Sequence, residues 1–276
     1  MNKIHNKGAF GMWHTALATL VRNQRSNLRA YPWTFTFGHI IDGTYLVLVT
    51  CFSYVYLIKG DVQTQFAAYA GTSDYLTYVM IGGALNLFSV SMMMNVSRAL
   101  ITEWREGTLE ALLLSPSSRF GYFAGTAVQQ LMRSLFELAV VLIFGIAAGL
   151  RLPNFDFLSV LTGIFAYLLS CFAMGLLLGC VMLHTRDTFF VQNTLFAFTA
   201  LLCGFQFPRE YLPEALGLAG NVFPLTDALT LLRGSLLSGK AIRSGDVLPV
   251  LLLCAVYIAL ALWTGKRIER RIFERY

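Results

Sequence analysis

Long apolar runs separated by short polar stretches set the pattern of this chain. A membrane-crossing helix needs roughly 20 apolar residues, and runs of that kind occur at residues 33–57, 75–99, 124–150, 157–183, 189–207 and 247–264. They predict six spanning helices and an all-α integral membrane fold. Ahead of them, Phe10, Trp13, Leu17, Leu20, Val21 and Leu28 recur mostly at steps of three and four, while Arg22, Arg25 and Arg29 take another face. This predicts an amphipathic interface helix over 10–28, ended by Pro32, with Trp13 at headgroup depth and the arginines toward anionic lipid. A cytosolic packing helix is the alternative.

Two stretches break the rhythm. After 189–207, Pro208, Pro213 and Pro224 with Gly217 and Gly220 cut the apolar sequence into pieces too short to cross a bilayer. Short helical pieces are tolerated at membrane depth when packed against protein, so 209–237 is expected to form outer re-entrant half-helices between spans five and six. The other break is residues 101–116, a charged island between spans two and three carrying Glu103, Arg105, Glu106 and Glu110. Those charges belong in water at a membrane face or against a partner. Residues 59–74 are expected to be a short polar outer loop and 184–188 a tight hairpin.

Lys and Arg gather before residue 31, between 98 and 119, and after 264, which by the positive-inside rule puts both termini and the charged island in the cytosol. The chain then reads as one domain over 1–276: an interfacial helix to residue 31, a six-span core over 33–264 and a basic cytosolic tail over 265–276. The N-terminus lacks the apolar core and cleavage site of a removable signal and is expected to be retained.

Composition agrees with this class. Hydrophobic residues make up 56% of the chain, charged residues only 13%, and mean hydropathy is +0.61, which excludes an ordinary soluble domain. The net charge of +6 would suit a nucleic-acid binder, but the basic residues sit at membrane boundaries and no nucleic-acid partner is expected. The five cysteines lie in apolar runs without metal or redox spacing, so neither disulfides nor metal sites are expected.

Several constellations could carry chemistry. Gly234 to Lys240 has the glycine and lysine spacing of a phosphate loop, but Ala241 supplies no hydroxyl for magnesium and no buried strand precedes it. The chain is therefore expected to lack a nucleotide site of its own. His5, His14, His39 and His184 are scattered, which argues against a membrane-embedded enzyme. His39 and Asp42 lie three apart on one predicted helix, where a structural hydrogen bond is favoured over a catalytic dyad. Arg133 and Glu137, at i and i+4 in the third span, have the spacing of a helical ion pair. Asp42, Arg133 and Glu137 are the intramembrane charges that stand as functional candidates.

Within the island, residues 103–114 can form about three helical turns. Leu109, Leu112 and Leu113 would face the membrane and Glu103, Glu106 and Glu110 would line a polar face, until Pro116 ends the helix. Such a helix could dock in a cleft of a soluble partner.

Two segments resemble a known family. Glu-Trp-Arg-Glu-Gly-Thr-Leu-Glu-Ala-Leu-Leu-Leu-Ser-Pro, from 103 to 116, resembles the cytosolic coupling segment of type-2 ABC exporter permeases, usually E-R-E-x-G-T-L-E-x-L-L-x-x-P. Phe-Pro-Leu-Thr-Asp-Ala-Leu-Thr-Leu-Leu-Arg, from 223 to 233, resembles that family's outer segment. Trp104 stands where the family usually has Arg, and Arg105 where it usually has an acid. The resemblance implies a coupling role for Glu103, Arg105, Glu106, Thr108, Leu109, Glu110, Leu112 and Leu113, and an outer re-entrant motif of Pro224, Asp227 and Arg233. It also implies two copies of a separate ATPase that bind ATP and magnesium, a second permease copy of the same or another kind, and a bacterial inner-membrane location. The cargo favoured here is a drug-like or antimicrobial amphiphile, with a polysaccharide or lipid-linked glycan as the alternative. An ATP-independent carrier or channel is the competing class.

Overall fold

The computed structural model describes residues 4–30, 34–57, 64–70, 72, 74–115, 118–151, 156–185 and 187–273, and no strand occurs among them. The turns expected at Pro32 and Pro116 lie outside the described residues. Among these residues eleven α-helices follow one another: α1 (Ile4–Ala30), α2 (Thr34–Phe52), α3 (Thr64–Ala70), α4 (Tyr75–Arg105), α5 (Leu109–Leu114), α6 (Arg119–Ala147), α7 (Phe157–Thr185), α8 (Phe189–Leu202), α9 (Glu214–Gly220), α10 (Pro224–Leu237) and α11 (Ser244–Phe273). A π-helical turn, Ser53–Leu57, prolongs α2.

Local chemistry sets several starts. Asp74 caps α4 by accepting from the Thr77 backbone N–H at 3.1 Å and the Thr77 hydroxyl at 2.6 Å. Ser118 caps α6 through the Gly121 N–H at 3.1 Å, and Pro224 opens α10 where its missing donor costs nothing.

Segments Tyr75–Ala99, Phe120–Ala147, Phe157–Thr185 and Ser244–Ile268 are long and apolar enough to cross a membrane, and α9 with α10 adds a pair bent by 93°. Among the described residues, four spans, or five if the bent pair is one, are thus evident where six were predicted. The apolar helix at Ile40–Tyr56 is shorter. So is α8, whose 14 residues rise only ~21 Å against a hydrocarbon core of roughly 30 Å.

The α8 difference has a local cause. The predicted helix to residue 207 stops at Leu202, where Gly204 takes a left-handed φ of 72° and Phe205 turns fully into the interior. The segment expected as an outer loop over 59–74 instead contains α3, whose Phe66 is buried against Tyr75 and Tyr78.

Around α7 the bundle closes: α4, α10 and α11 pack on it, while α6 joins α4 to α1 and α2. Met80, Met93, Val96, Tyr167, Cys171, Leu225 and Leu229 fill the centre. One face of α1 is committed to α6. A Cβ at Gly121 would meet Met12 and Thr15, and one at Gly125 would meet Ala16 and Thr19. Because these pairings advance together along both helices, α1 and α6 run in the same direction in close contact, as small residues four apart permit.

Candidate functional site

The charged island departs from its predicted form. Instead of one helix over 103–114, α4 runs on through Arg105, the chain turns at Glu106 and Gly107, and α5 starts at Leu109. Gly107 takes a φ of 72°, a left-handed conformation that no continuing helix of L residues adopts. Glu103, Glu106 and Glu110 therefore lie on three different elements, not along one helical face.

Glu103 faces inward. It is buried and forms an ion pair with Arg22 of α1. Thr108 donates to its other oxygen, and the Tyr122 hydroxyl of α6 lies 3.1 Å from the oxygen that Arg22 contacts and 3.2 Å from the Ala99 carbonyl. Burial by itself would push the Glu103 carboxyl up. The hydrogen bond from Thr108, then the hydrogen bond and charge of Arg22, outweigh that and hold it below its ordinary value of 4.5. The arrangement ties α1, α4, the turn and α6 together at one carboxylate. Arg105 adds a further tie, donating to the buried Thr188 hydroxyl at 2.8 Å in the turn before α8.

What remains on the surface is the turn itself. Trp104, Glu106, Gly107 and Thr108 are exposed, Leu109 is buried, Leu112 is half-buried and Leu114 is exposed. The side chains of Glu110 and Leu113 lie outside the described residues. The island is thus an exposed hook whose base is fixed by Glu103 and Leu109.

At the opposite end of α4, Arg233 of α10 is buried and anchors the segment after α8. It donates to the Tyr78 hydroxyl at 2.7 Å and to the carbonyls of Gly204 and Phe205 at 2.9 and 2.6 Å, and its guanidinium carbon lies 4.2 Å from the Tyr78 ring centroid. Gly82 makes room for this contact, since a Cβ there would overlap both the Phe205 carbonyl and Arg233. Pro224 is buried with its carbonyl accepting from Ser170 at 3.2 Å, and Asp227 is half-buried on the first turn of α10. Arg209 holds the α9 end by bonds to the Gly217 carbonyl and Asn221 at 2.7 and 2.6 Å.

Of the intramembrane charges, Asp42 is exposed on α2, and the His39 side chain lies outside the described residues. Glu137 is buried on α6, with the Ser91 hydroxyl of α4 3.4 Å away. Arg133 is half-buried one turn earlier. Gln130 and Ser134 join them on the buried side of α6, linked at 3.1 Å. The phosphate-loop spacing falls on helix: Gly234 lies inside α10, and Gly239, at φ 59°, follows the helix end.

Arg22, Tyr122, Thr188 and Tyr78 are site residues that sequence reasoning did not pair with the motifs. Their partners are 81, 19, 83 and 155 positions away along the chain, and only Arg22 had stood out, as part of an arginine face.

Together these features define a multi-pass helical membrane protein with a charged hook between two of its long helices and an arginine-held segment at the other end. A profile of the ABC-2 type transporter family matches residues 15–237, and the chain belongs to that family. Over 146 residues it is 30% identical to proteins named probable multidrug ABC transporter permease YbhR, from Escherichia coli strain K12 and from Escherichia coli O157:H7. The aligned part is 51% of this chain and 38% of each relative.

Proposed function

We propose that this chain is the transmembrane permease subunit of an ATP-driven exporter, powered by a separate ATPase that docks on the 103–114 hook. The observation that carries this reading is the geometry of the hook: an exposed Glu106–Thr108 turn whose base is locked to three helices through Glu103. A push on such a turn is passed to α4 and α6 instead of being absorbed by a loose loop. Family membership supports the class, and the name of the E. coli relatives supports a drug-like amphiphile as cargo.

In this reading the hook lies in the cytosol with both termini. α2 and α8 complete a six-span layout, and α9 and α10 form the outer re-entrant pair. Glu106 contacts the ATPase, together with Glu110, Leu112 and Leu113, while Glu103, Arg105, Thr108 and the buried Leu109 act as positioning residues that fix the hook to the bundle. ATP and magnesium bind the ATPase, and two permeases work with two ATPases in a bacterial inner membrane. Arg133 and Glu137 lie on the transport path between α4 and α6.

Glu106→Lys tests the assignment. The Glu106 side chain is exposed and makes no hydrogen bond or ion pair with a described residue, so the variant should reach the membrane in normal amount with an unchanged unfolding temperature. ATP-driven transport in proteoliposomes should fall at least ~10-fold, as expected when a polar interface contact becomes a like-charge clash. Transport at the wild-type rate would contradict the coupling role.

A further inference from the structure

We infer that the open face of α2 is a binding site for an organic cation, with the Asp42 carboxylate as its counter-charge. Two glycine contacts fix the depth of α2. A Cβ at Gly43 would meet Val140 and Val141 of α6, and one at Gly83 of α4 would meet Leu46. Gly83 lies ~12 Å along α4 from its Tyr75 end, and Val140 lies ~10 Å short of the Ala147 end of α6. Those two ends are neighbours, since a Cβ at Gly145 would touch Met80, and both close apolar segments long enough to span. Asp42, one residue before Gly43, is therefore well inside a hydrocarbon core of roughly 30 Å.

An ionised carboxylate is expensive at that depth unless a cation or polar partner meets it. Asp42 is exposed and makes no hydrogen bond or ion pair with a described residue. Glu137 does not share this face, being buried on α6.

The surface around Asp42 selects the kind of cation. Phe37, Ile41, Tyr45, Val49, Phe52 and Tyr56 recur at steps of three and four and are all exposed, giving one side of α2 an apolar, ring-rich surface. Tyr45 lies one turn after Asp42 and Gly38 one turn before it. Helical side chains tilt toward the N-terminus, which carries the carboxylate over Gly38, where a Cβ would have nothing within 4 Å. The result is a notch with a carboxylate at its edge and aromatic rings along the same helix. A cation with apolar substituents suits both features: its charge neutralises Asp42, and its body covers the rings, whose faces also attract cations. A metal ion or a small ammonium ion would leave the aromatic surface unused. A second copy of α2 packed here about a two-fold axis would bring an identical carboxylate instead of a cation. The proposal rests on the exporter reading only in making the cation a cargo, and it narrows that cargo from an amphiphile to a cationic amphiphile.

The test measures binding to the full chain in lipid nanodiscs by equilibrium dialysis, with empty nanodiscs as background. The probes are tetraphenylphosphonium and tetraphenylborate, which share a shape and differ in sign. Tetraphenylphosphonium should bind wild type at least about tenfold more tightly than Asp42→Asn, and tetraphenylborate should not distinguish the two. Gly38→Leu fills the notch but keeps the carboxylate, and it should also weaken binding, at an unchanged unfolding temperature. Glu214→Gln removes an exposed charge from α9 and should bind like wild type. Equal binding by wild type and Asp42→Asn, undiminished binding by Gly38→Leu, or equal loss in Glu214→Gln would each overturn the proposal. A change of Asp42→Asn from dimer to monomer in native mass spectrometry would assign the face to a second copy and overturn it as well. No ATPase is present in this assay, so a failure of the exporter reading leaves these results unchanged, and a failure of cation binding leaves the Glu106→Lys result unchanged.

Discussion

Alanine at position 82 is expected to lower the unfolding temperature of the detergent-solubilised protein by roughly 5–10 °C, an unusually large effect for the addition of one methyl group. The reason is local. The added Cβ would overlap the Phe205 carbonyl, which is backbone, and the Arg233 guanidinium, which is held by three hydrogen bonds. Neither can swing aside as a flexible side-chain tip would. Moving the carbonyl breaks its bond from Arg233 and leaves a buried cation short of an acceptor, one of the few single-site mechanisms that cost several kcal/mol. Gly234→Ala is the matched control. It lies next to Arg233 inside α10, with open space where its Cβ would stand, and should be neutral or slightly stabilising because glycine is a poor helix former. Thermal unfolding followed by tryptophan fluorescence distinguishes the two, and equal behaviour would contradict the packing described for Arg233.

The second large effect is expected at Glu103. Truncation to alanine removes the acceptor shared by Arg22, Thr108 and Tyr122. Breaking a fully buried pair typically costs about 3–5 kcal/mol, but the Arg22 side chain is 54% exposed whereas that of Glu103 is only 5% exposed. Water takes over much of the arginine's need, so the expected cost is about 2 kcal/mol. The pH dependence gives a sharper signature. The carboxyl is held below its ordinary value in the folded protein, so its contribution is fully present above pH 4.5 and is lost as pH falls through the folded-state value. The stability gap between wild type and Glu103→Gln should accordingly be constant at neutral pH and close under acid. A gap that persists unchanged in acid would mean that the loss comes from packing and not from the charge.

The sequence made the membrane class legible because spanning helices leave long apolar runs, and α4, α6, α7 and α11 fall where those runs lie. It was less informative where backbone geometry decides. Gly107 looked like one residue of a helical motif, yet its left-handed φ separates α4 from α5 and turns Glu103 away from Glu106. Gly204 likewise ends α8 before the apolar run does. No periodicity announces either break, because a positive φ at a glycine leaves no mark in the hydrophobic pattern.

Long-range pairing was the other hidden layer. The carboxylates of the island were expected to point at a partner together, but Glu103 found Arg22, a residue read from its helix pattern as facing lipid. Arg233 was recognised within a motif, while its acceptors were not, since two of them are main-chain carbonyls that any residue can supply. The α3 helix escaped notice because its seven residues are too few to show a period, and its place is set by the burial of Phe66 and the edge-on contact of Tyr69 with Tyr211.

In the proposed function the hook over 103–114 receives a separate ATPase. The most direct measurement is to tag the chain in its native membrane, solubilise it gently and quantify by mass spectrometry the proteins that copurify. An ATPase subunit in equal copy number with wild type, and absent with Glu106→Lys at the same permease yield, is the result predicted. A permease that purifies without any ATPase, or one whose ATPase is retained undiminished by Glu106→Lys, would contradict the assignment of the hook.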